Sequence, residues 1–281
     1  QSIPGGAPNG MRPLGRAWPR LQRLVRSARR IMLFLDFDGT LAPLVAHPSQ
    51  ARMPDQLRAV LRQLSRTPRV FVSIISGRRL RDLKRCVRVK GLSYIGNHGL
   101  EAEGPYGRYC HPAAQRNRPL LTQIARNLRR VVEPIRGAWI EDKGLTLSVH
   151  YRQVDVAQRP GLRRTFRYTV QPYATKQQVL VCVGKAVWEI RPPIQWHKGT
   201  AIEWLLRRMR ARRENLIICL GDDRTDEDAF RAVNRLHGIS ILVGTRRRQT
   251  AAKYWLPDTP AVSNWLRQLR ATSQIPLDLA G

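Results

Sequence analysis

The run Ile31-Met32-Leu33-Phe34-Leu35-Asp36-Phe37-Asp38-Gly39-Thr40-Leu41 constrains the fold of this chain more than any other stretch. Five large apolar residues in succession, without alternation, predict a strand buried on both faces, the mark of a parallel sheet. The run then ends in two carboxylates one residue apart, followed by Gly and Thr. Asp36 and Asp38 thus fall at the C-terminal end of the strand, the edge of an open α/β sheet where departing loops form a ligand crevice. Two positions apart, they fall on one face of a continued strand, and a turn at Gly39 can bring both towards one site. Two anions held that close repel and ask for a cation. Hard oxygen donors with no His or Cys nearby suit Mg²⁺. A strand end followed by an Asp-Gly turn also occurs in proteins that do no chemistry, so these residues alone leave both readings open.

Acids are scarce in this chain, which makes their placement informative. Lys and Arg number 50 against 20 Asp and Glu, giving a formal charge of +30 over 281 residues. A chain that basic binds polyanions at least non-specifically. Forty-three of those cations are Arg and seven are Lys, and they spread over every segment instead of forming one block interleaved with aromatics. The first thirty residues are the exception, with seven Arg and no acid. Five of the twenty acids crowd into Gly221-Asp222-Asp223-Arg224-Thr225-Asp226-Glu227-Asp228, and two more are Asp36 and Asp38. Hydrophobic residues at 42% and charged residues at 25% describe a folded globular chain. No apolar run approaches the ~20 residues of a membrane span, and the N-terminal stretch lacks the apolar core of a signal peptide. Cys86, Cys110, Cys182 and Cys219 are scattered without a CxxC pair. Even numbers permit disulfides, but Cys182 and Cys219 lie in apolar strand-like runs and read as buried thiols of a reducing compartment, so the expected location is the cytoplasm.

Taken in order, residues 1–25 read as a mobile basic leader, with a short basic helix over 21–30. After the first strand, 42–53 is loop, and Pro54 opens a helix whose stripe is Leu57, Val60, Leu61 and Leu64. The strand 70–75 runs into Ser76-Gly77-Arg78 and a helix carrying Leu80, Leu83 and Val87. A Ser hydroxyl and backbone N–H groups at such a point can cradle an anion or simply cap the helix. Residues 92–95 form a short strand leading to the turn Gly96-Asn97-His98-Gly99. From residue 105 the texture changes to helix, hairpin, helix, hairpin, with turns at Lys143-Gly144 and Gly184-Lys185, which predicts a small antiparallel α+β module. Parallel patterning resumes after Pro192-Pro193. A helix opens at Lys198-Gly199-Thr200, the strand 216–220 ends in Gly221-Asp222-Asp223, and Asp226, Glu227 and Asp228 suit the start of the next helix. A strand over 240–243 and a terminal helix over 260–269 follow. The expected fold is α/β: a Rossmann-like parallel-sheet core from 26–104 and 194–281, with an α+β cap inserted at 105–193.

Asp36, Asp38, Ser76, Lys198, Asp222 and Asp223 all sit on loops at the same edge. Carboxylates for a divalent cation, a hydroxyl and backbone donors for phosphate oxygens, and a lysine as compact charge are the parts phosphoryl transfer needs. The ordered set resembles the haloacid dehalogenase superfamily of phosphatases. More narrowly, Asp38-Gly39-Thr40-Leu41-Ala42-Pro43, Ser76-Gly77-Arg78, Gly96-Asn97-His98-Gly99, His150-Tyr151-Arg152, Trp188-Glu189-Ile190-Arg191-Pro192, Lys198-Gly199 and the 221–228 cluster resemble trehalose-6-phosphate phosphatases. The likeness runs from about 31 to 269 and leaves the leader uncovered.

That resemblance implies a Mg²⁺-dependent hydrolysis of trehalose 6-phosphate through an aspartyl-phosphate, within trehalose biosynthesis. Asp36 would be the nucleophile, Asp38 the general acid and base, and Lys198 a catalytic cation. Ser76, Gly77 and Lys198 would hold the phosphate. Asp36, Asp222 and the backbone carbonyl of Asp38 would hold the metal, with Asp223 and Asp226 orienting the ligands. Glu141, Lys143 and Glu189 in the cap would grip sugar hydroxyls, while Arg78, Asn97, His98, Arg152 and Arg191 have no assigned task. The expected partners are a small sugar phosphate and the synthase that makes trehalose 6-phosphate, with no membrane. Two other readings stand beside this one: a capped phosphatase for sucrose phosphate or a mannosyl-glycerate phosphate, and a basic nucleic-acid-binding protein on a degenerate phosphatase scaffold.

Overall fold

The computed structural model describes residues 11–45, 47–184, 186–244 and 249–274. Residues 1–10 of the expected leader and Lys185 of the expected second hairpin turn lie outside that set. The chain begins with β1 (Arg12–Pro13), α1 (Leu14–Ser27), β2 (Arg30–Asp36), α2 (Asp55–Leu64), β3 (Val70–Ile75), α3 (Leu80–Val87), β4 (Ser93–Gly96), β5 (Glu101–Gly104) and β6 (Gly107–Cys110). There follow α4 (Pro112–Arg116), α5 (Arg118–Val132), β7 (Trp139–Asp142), β8 (Leu147–His150), α6 (Arg159–Thr175), β9 (Leu180–Gly184) and β10 (Val187–Arg191). The remaining elements are α7 (Lys198–Arg208), β11 (Asn215–Gly221), α8 (Glu227–Arg235), β12 (Ile239–Val243), β13 (Tyr254–Leu256) and α9 (Thr259–Ser273).

Among the described residues, nine strands form the larger sheet in the order β1-β13-β12-β11-β2-β3-β4-β5-β6. From β1 to β4 each neighbour is parallel, and β5 adds antiparallel to β4. Ile31, Leu33 and Leu35 of β2 have no exposed surface, as expected for a strand covered on both faces. From β2 the chain moves outward through β3 and β4, then returns on the opposite side as β11. Strand order therefore reverses between β2 and β11, and the crevice at their C-terminal ends is the place where such sheets bind ligands.

The leader expectation is corrected over residues 14–25. Leu14, Trp18, Leu21 and Val25 recur at helical spacing, and α1 buries all four. Trp18 meets Trp265 of α9 edge to face, with ring centroids 5.7 Å apart. Arginines on the exposed face and Pro19 within the helix dilute the stripe in the sequence, which is why it escapes a local reading. The hairpin β5–β6 is a second difference. It lengthens the large sheet over residues to which the sequence assigned no element, and it draws residues 105–108, expected in the cap, to the side of that sheet.

Two compact units result, one of them Tyr109–Gln195 and the other made of the chain before and after it. In Tyr109–Gln195 the sheet order is β7-β8-β10-β9. Alternation gives this sheet two unlike faces. Leu147, Val149, Trp188 and Ile190 are buried with Leu121 and Ile124 of α5 and Leu162 and Phe166 of α6. Glu141, Ser148, His150, Glu189 and Arg191 point the other way, as the register Glu141↔Ser148↔Glu189 requires. Among the described residues no helix is long and apolar enough to cross a membrane.

Candidate active site

Asp36 is the last residue of β2 and is almost fully buried. Facing it, Lys198 begins α7, fixed there by a reciprocal cap in which the His197 side chain accepts from Thr200 N–H and the Thr200 hydroxyl accepts from His197 N–H. The Lys198 ammonium donates to Asp36 Oδ1 and to Asp226 Oδ1, both at 2.7 Å. Asp226 in turn accepts at Oδ2 from the backbone N–H groups of Asp222 and Asp223, each at 3.1 Å. A Cβ on Gly221 would stand 2.1 Å from the Asp226 carboxyl carbon, so only glycine lets that carboxylate fold back beneath its own loop.

Gly39 makes a second close approach. Its φ of +84° makes the turn after Asp38, and a Cβ would sit 2.3 Å from Asp222 Oδ2. The backbone after β2 and the carboxylate after β11 are thereby pressed together across the strand-order switch. Asp36, Asp222 and Asp226 each present an oxygen, and these oxygens lie within 4.8 Å of one another. Burial, together with Asp226, Asp222 and Asp223, holds the Asp36 carboxyl well above its ordinary 3.8 even against Lys198. Burial and the neighbouring Asp223 and Asp226 raise Asp222 to about 8, and burial raises Asp226 to about 6. The Lys198 ammonium is disfavoured by burial, yet Asp226 and Asp36 keep it protonated well above its ordinary 10.5. One ammonium is too little charge for this many carboxylates. Crowded, hard oxygen donors with raised pKa values fit a divalent cation, which would restore them to the ionised form.

Asp38 takes a different course from its neighbour. Its carboxylate is gripped from both sides by Arg78, with Nε donating to Oδ2 at 2.7 Å and Nη2 to Oδ1 at 2.6 Å. The guanidinium also lies over the Phe37 ring, 5.2 Å from its centroid. Ser76 is buried at the end of β3, where the register sets Ile75 beside Asp36. Its hydroxyl accepts from Arg78 N–H at 3.2 Å. A Cβ on Gly77 would lie 2.5 Å from the His98 ring, so any side chain there would have to displace that ring.

The turn after β4 braces this loop. Asn97 and His98 hold φ of +47° and +57°, and Asn97 N–H donates to Arg78 O at 2.7 Å. Glu101 accepts at Oε1 from Leu80 N–H and Asn97 Nδ2, at 2.8 and 2.6 Å. Left-handed backbone at two successive non-glycine residues is strained, and here it is held by that packing and those bonds.

Glu141, Lys143 and Glu189 lie together in the other unit. The Lys143 ammonium donates to Glu189 Oε1 at 3.3 Å and stands 4.0 Å from Glu141 Oε2. Two residues without a sequence assignment complete the group. His150 Nε2 is 2.9 Å from Glu141 Oε2, with its ring stacked on Trp139 at 3.9 Å, and Arg191 donates from Nε to Glu189 Oε2 at 2.7 Å. Strand alternation was the signal for both, because residues two apart along β10 and opposite on β7 and β8 share a face. Three other roles were not legible. Asp226 was expected only to orient other groups or to complement a helix dipole, but it is a direct partner of Lys198. Arg78 and Glu101 had no task at all.

This architecture and these motifs can be set beside known proteins. The model of one family, described as Trehalose-phosphatase, matches residues 34–260. A rice relative named "Probable trehalose-phosphate phosphatase 3" is 34% identical over 276 residues, which cover 92% of this chain and 74% of that one. A maize relative, "Trehalose 6-phosphate phosphatase RA3", is 34% identical over 257 residues, or 86% of this chain and 70% of its own. Among solved structures, the Aspergillus fumigatus trehalose-6-phosphate phosphatase is 29% identical and superposes with a TM-score of 0.65, covering 94% of this chain and 100% of that one. The C-terminal domain of the Candida albicans trehalose-6-phosphate phosphatase shares the fold at a TM-score of 0.78 and 24% identity, over 96% of this chain and 99% of that one. With most of its length matched by the family and with relatives a third identical over nearly all of it, this chain belongs to the trehalose-phosphatase family.

Proposed function

We propose that this protein is a Mg²⁺-dependent phosphatase that hydrolyses trehalose 6-phosphate to trehalose and phosphate. The observation that carries the reading is the buried network in which Lys198 bridges Asp36 and Asp226 beside Asp222, at the point where strand order reverses. Asp36 attacks phosphorus while the bond from phosphorus to the sugar oxygen breaks, and Asp38 delivers a proton to that oxygen. Water then attacks the aspartyl-phosphate, Asp38 takes its proton, and phosphate leaves with Asp36 regenerated. Lys198 neutralises charge next to Asp36 throughout. Ser76 and the backbone N–H groups of the Ser76-Gly77 loop are offered to the phosphate oxygens. Arg78 holds the ionised Asp38 carboxylate, so Asp38 enters the first step protonated with one of its two bonds to Arg78 released, and returns to that grip once its proton has passed to the leaving oxygen. Asp36, Asp222 and Asp226, with the backbone carbonyl of Asp38, would hold Mg²⁺, which when bound offsets the negative charge gathered on the phosphoryl group.

Glu141, Lys143 and Glu189 are assigned to the hydroxyls of the sugar, and Tyr109–Gln195 is the specificity cap. The intact set of carboxylates argues against a degenerate scaffold whose purpose is nucleic-acid binding. Non-specific attraction to polyanions accompanies the charge of +30. None of the four cysteines is joined in a disulfide, which fits the cytoplasm, with the synthase that makes trehalose 6-phosphate as the partner supplying substrate.

Phosphate release should be measured on trehalose 6-phosphate, sucrose phosphate and a mannosyl-glycerate phosphate, with and without chelator. Expected are preference for trehalose 6-phosphate, loss of turnover with chelator, and an inactive but folded Asp36→Asn variant. Preference for another sugar would overturn the substrate, and unchanged turnover in chelator would overturn the metal.

A further inference from the structure

Among the described residues β7 is an outermost strand of its sheet, so a side chain on it has a neighbouring strand on one side only, β8. Glu141 sits there opposite Ser148, a small residue that gives a long side chain little to rest against. A glutamate so placed has several rotatable bonds that would have to be frozen whenever a sugar bound. Glu189, on the interior strand β10, is held at both oxygens, since Lys143 donates to Oε1 and Arg191 to Oε2. The same Lys143 ammonium stands 4.0 Å from Glu141 Oε2, beyond hydrogen-bond reach. His150 does reach that oxygen, with Nε2 at 2.9 Å. An ionised carboxylate only accepts, so Nε2 carries the hydrogen. Where that N–H points depends on the plane of the imidazole, and the torsion that sets the plane is intrinsically broad. Trp139 removes this freedom. It lies opposite His150 in the register, and the two rings stack with centroids 3.9 Å apart and planes 9° from parallel. Ile140 packs against the apolar core of this unit, so alternation turns Trp139 to the charged face, where its large ring serves His150.

Resting on the assignment of Glu141, Lys143 and Glu189 to the sugar, we infer that His150 is a positioning residue for substrate binding: held flat by Trp139, it fixes the Glu141 carboxylate in place before the sugar arrives. His150 commits its Nε2–H to Glu141 and acts through it, not on the sugar. Each carboxylate oxygen can take more than one donor, so the bond leaves Glu141 able to accept from a sugar hydroxyl. A carboxylate held in advance lowers the ordering cost of binding, and the contribution therefore falls on KM and not on the chemistry at phosphorus.

Steady-state kinetics of variants of the full chain, assayed with Mg²⁺, separate this role from packing and from direct contact. His150→Phe keeps a ring on Trp139 and removes the donor. It should raise KM for trehalose 6-phosphate about tenfold, with kcat on that substrate and turnover of p-nitrophenyl phosphate, which carries no sugar, within about twofold of the parent. His150→Gln sets an amide N–H near the position of Nε2 and should bring KM back to within about threefold. Glu141→Ala should raise KM by itself, and joining it to His150→Phe should raise KM no further, because a residue that acts through another loses its effect when the other is gone. Far-UV circular dichroism checks the folding of each variant. An unchanged KM in His150→Phe beside a raised KM in Glu141→Ala would overturn the proposal and leave the sugar assignment intact. Losses that multiply in the double variant would overturn it by placing His150 on the sugar itself. Turnover of p-nitrophenyl phosphate lost in both His150 variants would make the residue a support of the fold. An unchanged KM in Glu141→Ala would remove the sugar assignment, and this proposal with it.

Discussion

Gly39 shows how one missing side chain sets the spacing of the charged groups. Its φ of +84° is costly for any other residue, and an added Cβ would press on the Asp222 carboxylate at 2.3 Å. Gly39→Ala is therefore expected to displace Asp222 and weaken Mg²⁺ binding by about tenfold or more, measured by calorimetric titration of the folded variant. Unchanged affinity would mean that Asp222 takes no part in holding the cation. At the same scale Asp36 and Asp38, two residues apart, have opposite surroundings. One shares a buried ammonium, and the other is drawn to a guanidinium at the margin. Their shared Asp-x-Asp spelling does not distinguish them, and the partner each finds does.

Among the elements, α1 departs furthest from what the residue order suggests. Trp18 is only 7% exposed and packs against Trp265, so α1 is part of the fold of the larger unit. Trp18→Ala should cost about 3–5 kcal/mol of stability, read as a lower denaturant midpoint, with turnover per folded molecule preserved because no site residue lies on α1. A loss below ~1 kcal/mol would show that α1 contributes little to the core. Strands β2 and β11 were legible, since each holds an unbroken apolar run of five residues that ends at Asp or Gly, and β3 was legible from its β-branched residues Val70, Val72, Ile74 and Ile75. By contrast α1 and the β5–β6 hairpin were not, since arginines interrupt the first and glycines and charges fill the second. Their apolar contacts come from α9 and from the rest of the sheet, which no local window contains.

At the level of the whole molecule, the two compact units divide the proposed labour between phosphoryl chemistry and sugar recognition. Glu189→Gln should then raise KM for trehalose 6-phosphate by about tenfold while leaving turnover of p-nitrophenyl phosphate nearly unchanged. Equal losses on both substrates would place Glu189 in the chemistry and refute the division. Residue order alone determined the alternation of strand and helix, the carboxylates at strand ends, the inserted antiparallel module and the family, because apolar periodicity and short motifs are properties of neighbouring residues. Tertiary structure alone decided which charges meet. Asp36 and Lys198 are 162 residues apart, and Asp226 joins them only because α7 and the loop after β11 converge beside β2. A charge buried away from water must find its compensation in space, and distance along the chain says nothing about which groups will be near enough to supply it.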